Sequence, residues 1–252
     1  MAADTQTADA GGGTHRRRPS VADHLLGVTG ELLITVGVLL LLFVAWQLWW
    51  TDILADQAQS KLADSVRAGW SQQEVEHHPP SGEPRVLPEP AESGQVFGML
   101  HVPRFGAQWQ PRPILQGISL AVLEDGIGHY EGTAMPGQIG NFAIAGHRVT
   151  YGRPMWQAEE LQAGDAIVVE TEQGWYTYRV TGHEIVRPNQ VEVIEPVPNQ
   201  PGVAPTQRVL TITACHPKFS ARERLIVHAT YAEWQPRSRG EPDSLEHPPG
   251  VS

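Results

Sequence analysis

Cys215 is the only cysteine in 252 residues, and it has the most chemistry to offer. A thiol of ordinary pKa near 8.5 is only about 3% thiolate at pH 7, so a nucleophilic role needs a neighbouring base or cation. The run RVLTITACHP ends on this cysteine, and Pro217 stops further ladder pairing, which leaves the sulfur at a strand terminus. Arg224 opens the next apolar run, RLIVHA, and the connection HPKFSARE is long enough for that run to return antiparallel beside the first. A lone cysteine also excludes an intramolecular disulfide and a Cys-rich zinc site.

Strand alternation sorts these residues by face. Leu210, Ile212 and Ala214 share the apolar face, and Thr211, Thr213 and Cys215 share the other. In the following run Leu225, Val227 and Ala229 point inward, which sends Arg224 outward with Ile226 and His228. In NFAIAGH, Phe142, Ile144 and Gly146 point inward and His147 falls on the opposite face just past the end. A thiol, a guanidinium and an imidazole therefore emerge on the non-core face at three strand ends. Of the 11 histidines, His24, His77, His78 and His247 fall outside the region rich in β-type runs. His101, His129, His183, His216 and His228 remain alternative partners for the thiol, His216 weakened because neighbours on a strand point to opposite faces. Arg222, two residues from Arg224 and of the same parity, is the alternative guanidinium.

The elements that must hold these groups lie between about Ser93 and Trp234. Short runs, GMLHV, RPILQ, NFAIAG, AIVVE, WYTYRV, HEIVR, VLTITA and RLIVHA, are separated by Gly, Pro, Asn and Asp, and EQG reads as a hairpin turn. Helical patterns are brief, at SLAVLEDG and PMWQAEELQ, so the class is mainly β, a barrel or sandwich with two short helices. DGIGHYEGT reads as turns, and the Glu159–Glu160 pair as a solvated surface.

Outside that domain, residues 1–31 read as a disordered tail. Residues 32–50, LLITVGVLLLLFVAWQLWW, carry no formal charge, and at about 1.5 Å per residue span about 28 Å, enough for one transmembrane helix. Arg16, Arg17 and Arg18 before it predict a cytoplasmic N-terminus and an extracytoplasmic remainder. Residues 51–92, with eight acidic and three basic residues and a Pro-rich end, read as a stalk; 52–70 are compatible with a short helical continuation. The domain is assigned to 93–235 and a second disordered tail to 236–252. A net charge of −10 without a basic stripe excludes nucleic acid as a partner.

The segments GHYEGTAMPGQIGNFAIAGHRVTYG (128–152) and LTITACHPKFSARERLIVHA (210–229) resemble the histidine-bearing and Cys/Arg-bearing motifs of sortases, class E in particular. The resemblance implies a closed eight-stranded β-barrel carrying a cysteine transpeptidase site, with His147, Cys215 and Arg224 as its catalytic triad; no clustered carboxylates mark a calcium site, and neither a cofactor nor a metal is expected. It also implies the partners: surface proteins with a C-terminal sorting signal of the LPxTG or LAxTG type, a lipid-linked peptidoglycan precursor amine, and the membrane. Ala214 stands where the family usually has Thr before the cysteine, and the missing hydroxyl predicts slower or altered turnover. Two alternatives are a cysteine hydrolase that uses water in place of the amine, and a membrane-tethered binding module with a buried structural thiol.

Overall fold

The computed structural model describes residues 21–72 and 83–246, in two compact units that divide after Gln47. The first helix, α1, spans Val21–Gln72. In the first unit its surface is a continuous apolar sheath, with Leu32, Leu33, Leu39–Leu42 and Phe43 all exposed. This helix is long and apolar enough to cross a membrane.

The second unit is a closed barrel of eight strands: β1 (Val96–His101), β2 (Arg112–Gln116), β3 (Ile127–His129), β4 (Gly140–Gly146), β5 (Ala166–Glu170), β6 (Gly174–Val186), β7 (Arg208–His216) and β8 (Glu223–Pro236). Around the barrel the order is β1-β2-β3-β4-β7-β8-β6-β5. Two neighbour pairs, β2/β3 and β4/β7, are parallel and the others antiparallel. Leu210, Ile212 and Ala214 of β7, Phe142 and Ile144 of β4, and Leu225, Val227 and Ala229 of β8 all join one interior cluster, as alternation requires. Short helices punctuate the connections, among them α2 (Leu120–Asp125) and a 3-10 turn at Ala158–Glu160, and α3 (Asp243–Glu246) follows the last strand.

The eight observed strands are not the eight runs read from the sequence. WYTYRV and HEIVR belong to one strand, β6, whose register shifts at Val180/Gly182, so Thr181–Gly182 is a bulge and not a turn. β3 lies inside DGIGHYEGT, which read as turns. Its glycines serve close packing: a Cβ on Gly126 would lie 2.4 Å from the Pro113 carbonyl oxygen, and one on Gly128 would lie 2.4 Å from that of Gly117.

The stretch read as a stalk is fastened to the barrel at both of its described ends. Ala63 and Trp70 of α1 are buried with Met99 of β1, with Val66 packed alongside, an apolar stripe at helical spacing that had no visible partner in the sequence. Further along, Glu83 pairs with Arg208 at 2.7 Å, Arg85 O accepts from the Tyr176 hydroxyl, and Leu87 enters the main core. The Glu89 carboxylate accepts from Gln116 at 2.7 Å and from the Gly132 amide at 2.8 Å. His77 and His78 fall outside the described residues.

Glu170, 2% exposed at the end of β5, is a second fastening point. Its Oε2 accepts from Arg67 of α1 at 2.8 Å and lies 2.9 Å from His101 Nε2; its Oε1 accepts from Arg237 at 2.9 Å. Burial raises its pKa, but hydrogen bonds and charges from His101 and Arg67 outweigh this and hold the carboxyl below the usual carboxylate value.

Two expectations follow. Ile212, fully buried in the interior, contributes through close packing, so Ile212→Ala lowers the unfolding free energy by about 2–5 kcal/mol and Ile212→Val by about 0.5–1.5 kcal/mol in urea titrations. His129 is fully buried, 2.8 Å from Gln116 Oε1 and 3.2 Å from Ala134 O, and burial lowers its pKa below the ordinary value. Below about pH 6.5 the unfolded chain takes up a proton before the native one does, so stability falls as pH drops from there. Urea midpoints at about pH 7.5 and about pH 5.5 check this, and His129→Gln flattens the slope.

Candidate active site

Pairing of three adjacent strands brings the sequence-derived groups together. In the antiparallel β7/β8 pair, Cys215 stands directly opposite Arg224. Side chains at such positions start roughly 5 Å apart at Cβ and share a face. In the parallel β4/β7 pair the last registered partners are Gly146 and Ala214, so His147 and Cys215 lie one step beyond on adjoining strands. The face they share is not open along its length. Ala143, Ala145, Thr211, Thr213 and Ile226 are all buried. The connection between β6 and β7 forms a roof over part of it: Val186 and Val193 cluster with Ile226, and Asn141 Nδ2 donates to the carbonyls of Val193 and Glu195. Only toward the strand ends does the roof leave Cys215, His147 and Arg224 half-buried.

Each group has a distinct electrostatic setting. His147 Nε2 is buried with no hydrogen-bond partner. Burial pushes the imidazole below its ordinary value, partly opposed by the Glu124 carboxylate, so the neutral form dominates at neutral pH. The Tyr151 ring lies against it, with centroids 5.1 Å apart. Arg224 Nη1 donates to the carbonyls of Ala221 and Glu223, both at 3.0 Å. Its Nε and Nη2 make no hydrogen bond among the described residues, which leaves donors free on a guanidinium whose position is fixed. Cys215 is a free thiol.

Arg222 sits in the β7–β8 connection, exposed and outside the strand register that pairs Arg224 with the cysteine. The alternative histidines are engaged elsewhere or turned away. His101 contacts Glu170, and His129 is sealed beside Gln116. His183 is exposed on β6, and His228 bridges Glu184 at 2.7 Å and Thr211 at 3.1 Å. His216 Nδ1 accepts from Arg148 at 3.0 Å. The Ala214 methyl faces the barrel interior, 3% exposed, so a hydroxyl at that position would point into the core and not toward a bound peptide.

The residue after the histidine has no distinguishing signal in the sequence. Arg148 has a fully buried side chain that donates to the Cys215 carbonyl at 3.3 Å, to His216, and to Glu159. Glu159 also pairs with Lys218 at 2.6 Å, and these partners hold its carboxyl below the usual range. Glu159, expected on a solvated surface, therefore ties the loop after β4 to the loop after β7. Alternation starts Arg148 on the face opposite His147, and only tertiary packing reveals that its guanidinium reaches the backbone of the cysteine.

Known proteins share this sequence and this fold. The family model for the Sortase domain matches residues 100–232. Sortase SrtE1 of Streptomyces coelicolor is 39% identical over 237 residues, a match spanning 91% of this chain and 63% of that protein. Sortase SrtE2 of the same organism is 34% identical over 240 residues, 90% of this chain and 92% of the relative. Among solved structures, the SrtA sortase from Actinomyces oris superposes with a TM-score of 0.61 at 46% identity, covering 67% of this chain and 97% of that one. The closed barrel and these matches together show that the chain belongs to the sortase family, class E.

Proposed function

We propose that the protein is a membrane-anchored cysteine transpeptidase that cleaves an LPxTG- or LAxTG-like sorting signal between Thr and Gly and passes the acyl group to a peptidoglycan precursor amine. The observation that carries this reading is the register: Cys215 opposite Arg224, with His147 one step beyond the Gly146–Ala214 pair. The helix α1 supplies the anchor, and Arg16–Arg18 favour an N-terminus in the cytoplasm with the barrel outside.

The neutral, unpartnered imidazole of His147 is suited to take the proton from the Cys215 thiol. The thiolate then attacks the Thr carbonyl carbon, and the carbonyl electrons move onto oxygen. Free guanidinium donors of Arg224 orient the signal's backbone and offset that negative charge. Collapse re-forms the carbonyl and breaks the Thr–Gly C–N bond as His147 returns the proton to the departing glycine amine. The thioester on Cys215 is resolved when His147 takes a proton from the incoming amine, whose nitrogen attacks the same carbon and expels the thiolate.

Incubation with fluorogenic Leu-Pro-x-Thr-Gly and Leu-Ala-x-Thr-Gly peptides yields, by mass spectrometry, a thioester on Cys215. Cys215→Ala and His147→Ala lower turnover by at least about 10³-fold, as for nucleophile and base in related acyl transfers. An added amine accelerates product release and appears in the product; release indifferent to amine points to a hydrolase. Slow alkylation of Cys215 by iodoacetamide with no peptide cleavage points to a binding module.

Arg224→Ala costs about 10²–10³-fold in kcat, the scale of removing one oxyanion donor, and Arg222→Ala stays within about threefold of wild type. Steady-state kinetics of the two variants decide between the guanidinium groups, and the opposite ranking transfers the role to Arg222.

A further inference from the structure

The mechanism leaves unexplained the polar side of the extramembrane half of α1. Gln59, 1% exposed, donates from Nε2 to the carbonyls of Glu124 at 3.0 Å and Tyr151 at 3.1 Å, and its Oε1 accepts from Arg112 Nη1 at 2.9 Å. Arg112, buried at the start of β2, also donates to Asp56 at 2.6 Å and to the Gly152 carbonyl at 3.2 Å. One turn earlier on the helix, Asp52 pairs with Arg153 at 3.0 Å. Three residues of α1 and one of β2 thus converge on a single short loop, 151–153.

That loop does not hold its shape by itself. Tyr151, Gly152 and Arg153 have φ values of 52°, 75° and 47°, three consecutive left-handed residues of which two carry side chains. L-residues adopt this region at a cost and keep it where their surroundings impose it. The contact is also close: a Cβ on Gly152 would lie 2.5 Å from Asp56 Oδ1. From this loop the Tyr151 ring reaches the His147 ring, and the Glu124 carboxylate, whose own backbone carbonyl Gln59 holds, acts on the Tyr151 hydroxyl and raises its pKa.

We propose that the extramembrane half of α1 is a positioning element of the active site, in which Gln59, with Asp56 and Arg112, clamps loop 151–153 and so holds Tyr151 against the imidazole of His147. The inference rests on the reading of His147 as the catalytic imidazole. It makes the helix that carries the anchor a working part of the catalytic domain, where a passive tether would leave the imidazole indifferent to it. Gln59 acts through Tyr151 and touches no substrate.

The test uses the full chain in detergent micelles with a fluorogenic Leu-Ala-x-Thr-Gly peptide, or Leu-Pro-x-Thr-Gly if that is the better substrate. Gln59→Leu keeps the helix and the side-chain bulk and removes the clamp. Its kcat falls about tenfold with KM within about twofold, the scale of a modest misplacement of a catalytic group. Loosening also admits water around His147, so the acidic limb of the kcat–pH profile moves to higher pH, toward ordinary histidine behaviour. Asp52→Ala, on a partly exposed helix turn, shifts both readouts in the same direction by less and guards against loss through misfolding. Wild-type kcat and pH profile in both variants overturn the proposal, as does a fall in kcat that only tracks the folded fraction with the pH limb unmoved. His147→Ala is the control for the parent reading: if it retains activity, the catalytic assignment fails, an outcome separate from the behaviour of the clamp variants.

Discussion

Everything at the site depends on backbone register across three strands. A slip of one residue between β7 and β8 would exchange faces along the pair and bury Cys215 in the barrel interior while exposing Ala214. The interior prevents this, because Leu210, Ile212 and Ala214 interlock with Leu225, Val227 and Ala229 and with Phe142 and Ile144 of β4. Packing of apolar residues that do no chemistry is what fixes the direction of the three that can. The parallel β4/β7 pairing is the less common element, and it allows a histidine and a cysteine far apart in sequence to leave the barrel at the same end.

A second layer of order lies around these groups. Arg148 and Glu159 join the loops after β4 and β7 from below, and the β6–β7 connection covers the shared outer face from above. His147 itself is half-buried with its Nε2 out of reach of any hydrogen-bond partner among the described residues, and its neutral form follows from that burial. Glu124 alone would favour the charged imidazole, so desolvation is the stronger of the two effects here.

Much of this was legible in the chain. Period-two alternation gave the faces of β4, β7 and β8, because each of those strands has one side against a hydrocarbon interior. Placing the other side of these strands on the non-core face gives no hint of its roof, since Thr211 and Thr213 look like surface residues yet are buried. β3 was hidden because glycine signals a turn in sequence but here allows two backbones to approach closely. In β6 the Thr-Gly pair looked like a break and is a bulge. Polar contacts across long sequence distance left no local trace: nothing near Gln59 indicates that its amide meets Arg112, Glu124 and Tyr151. Alternation carries no hint of the Arg148 contact, because it governs where a side chain starts and not how far a guanidinium reaches.

The Glu170 carboxylate binds Arg67 from the segment that enters the barrel and Arg237 from the segment that leaves it. The two approaches to the domain, separated by most of its sequence, thereby share one latch. Neither can peel away without stripping cationic partners from a buried anion, so fraying at one end is felt at the other. A barrel whose margins would otherwise be the first parts to open is instead closed on itself like a clasped belt, and those margins share the cooperativity of its centre.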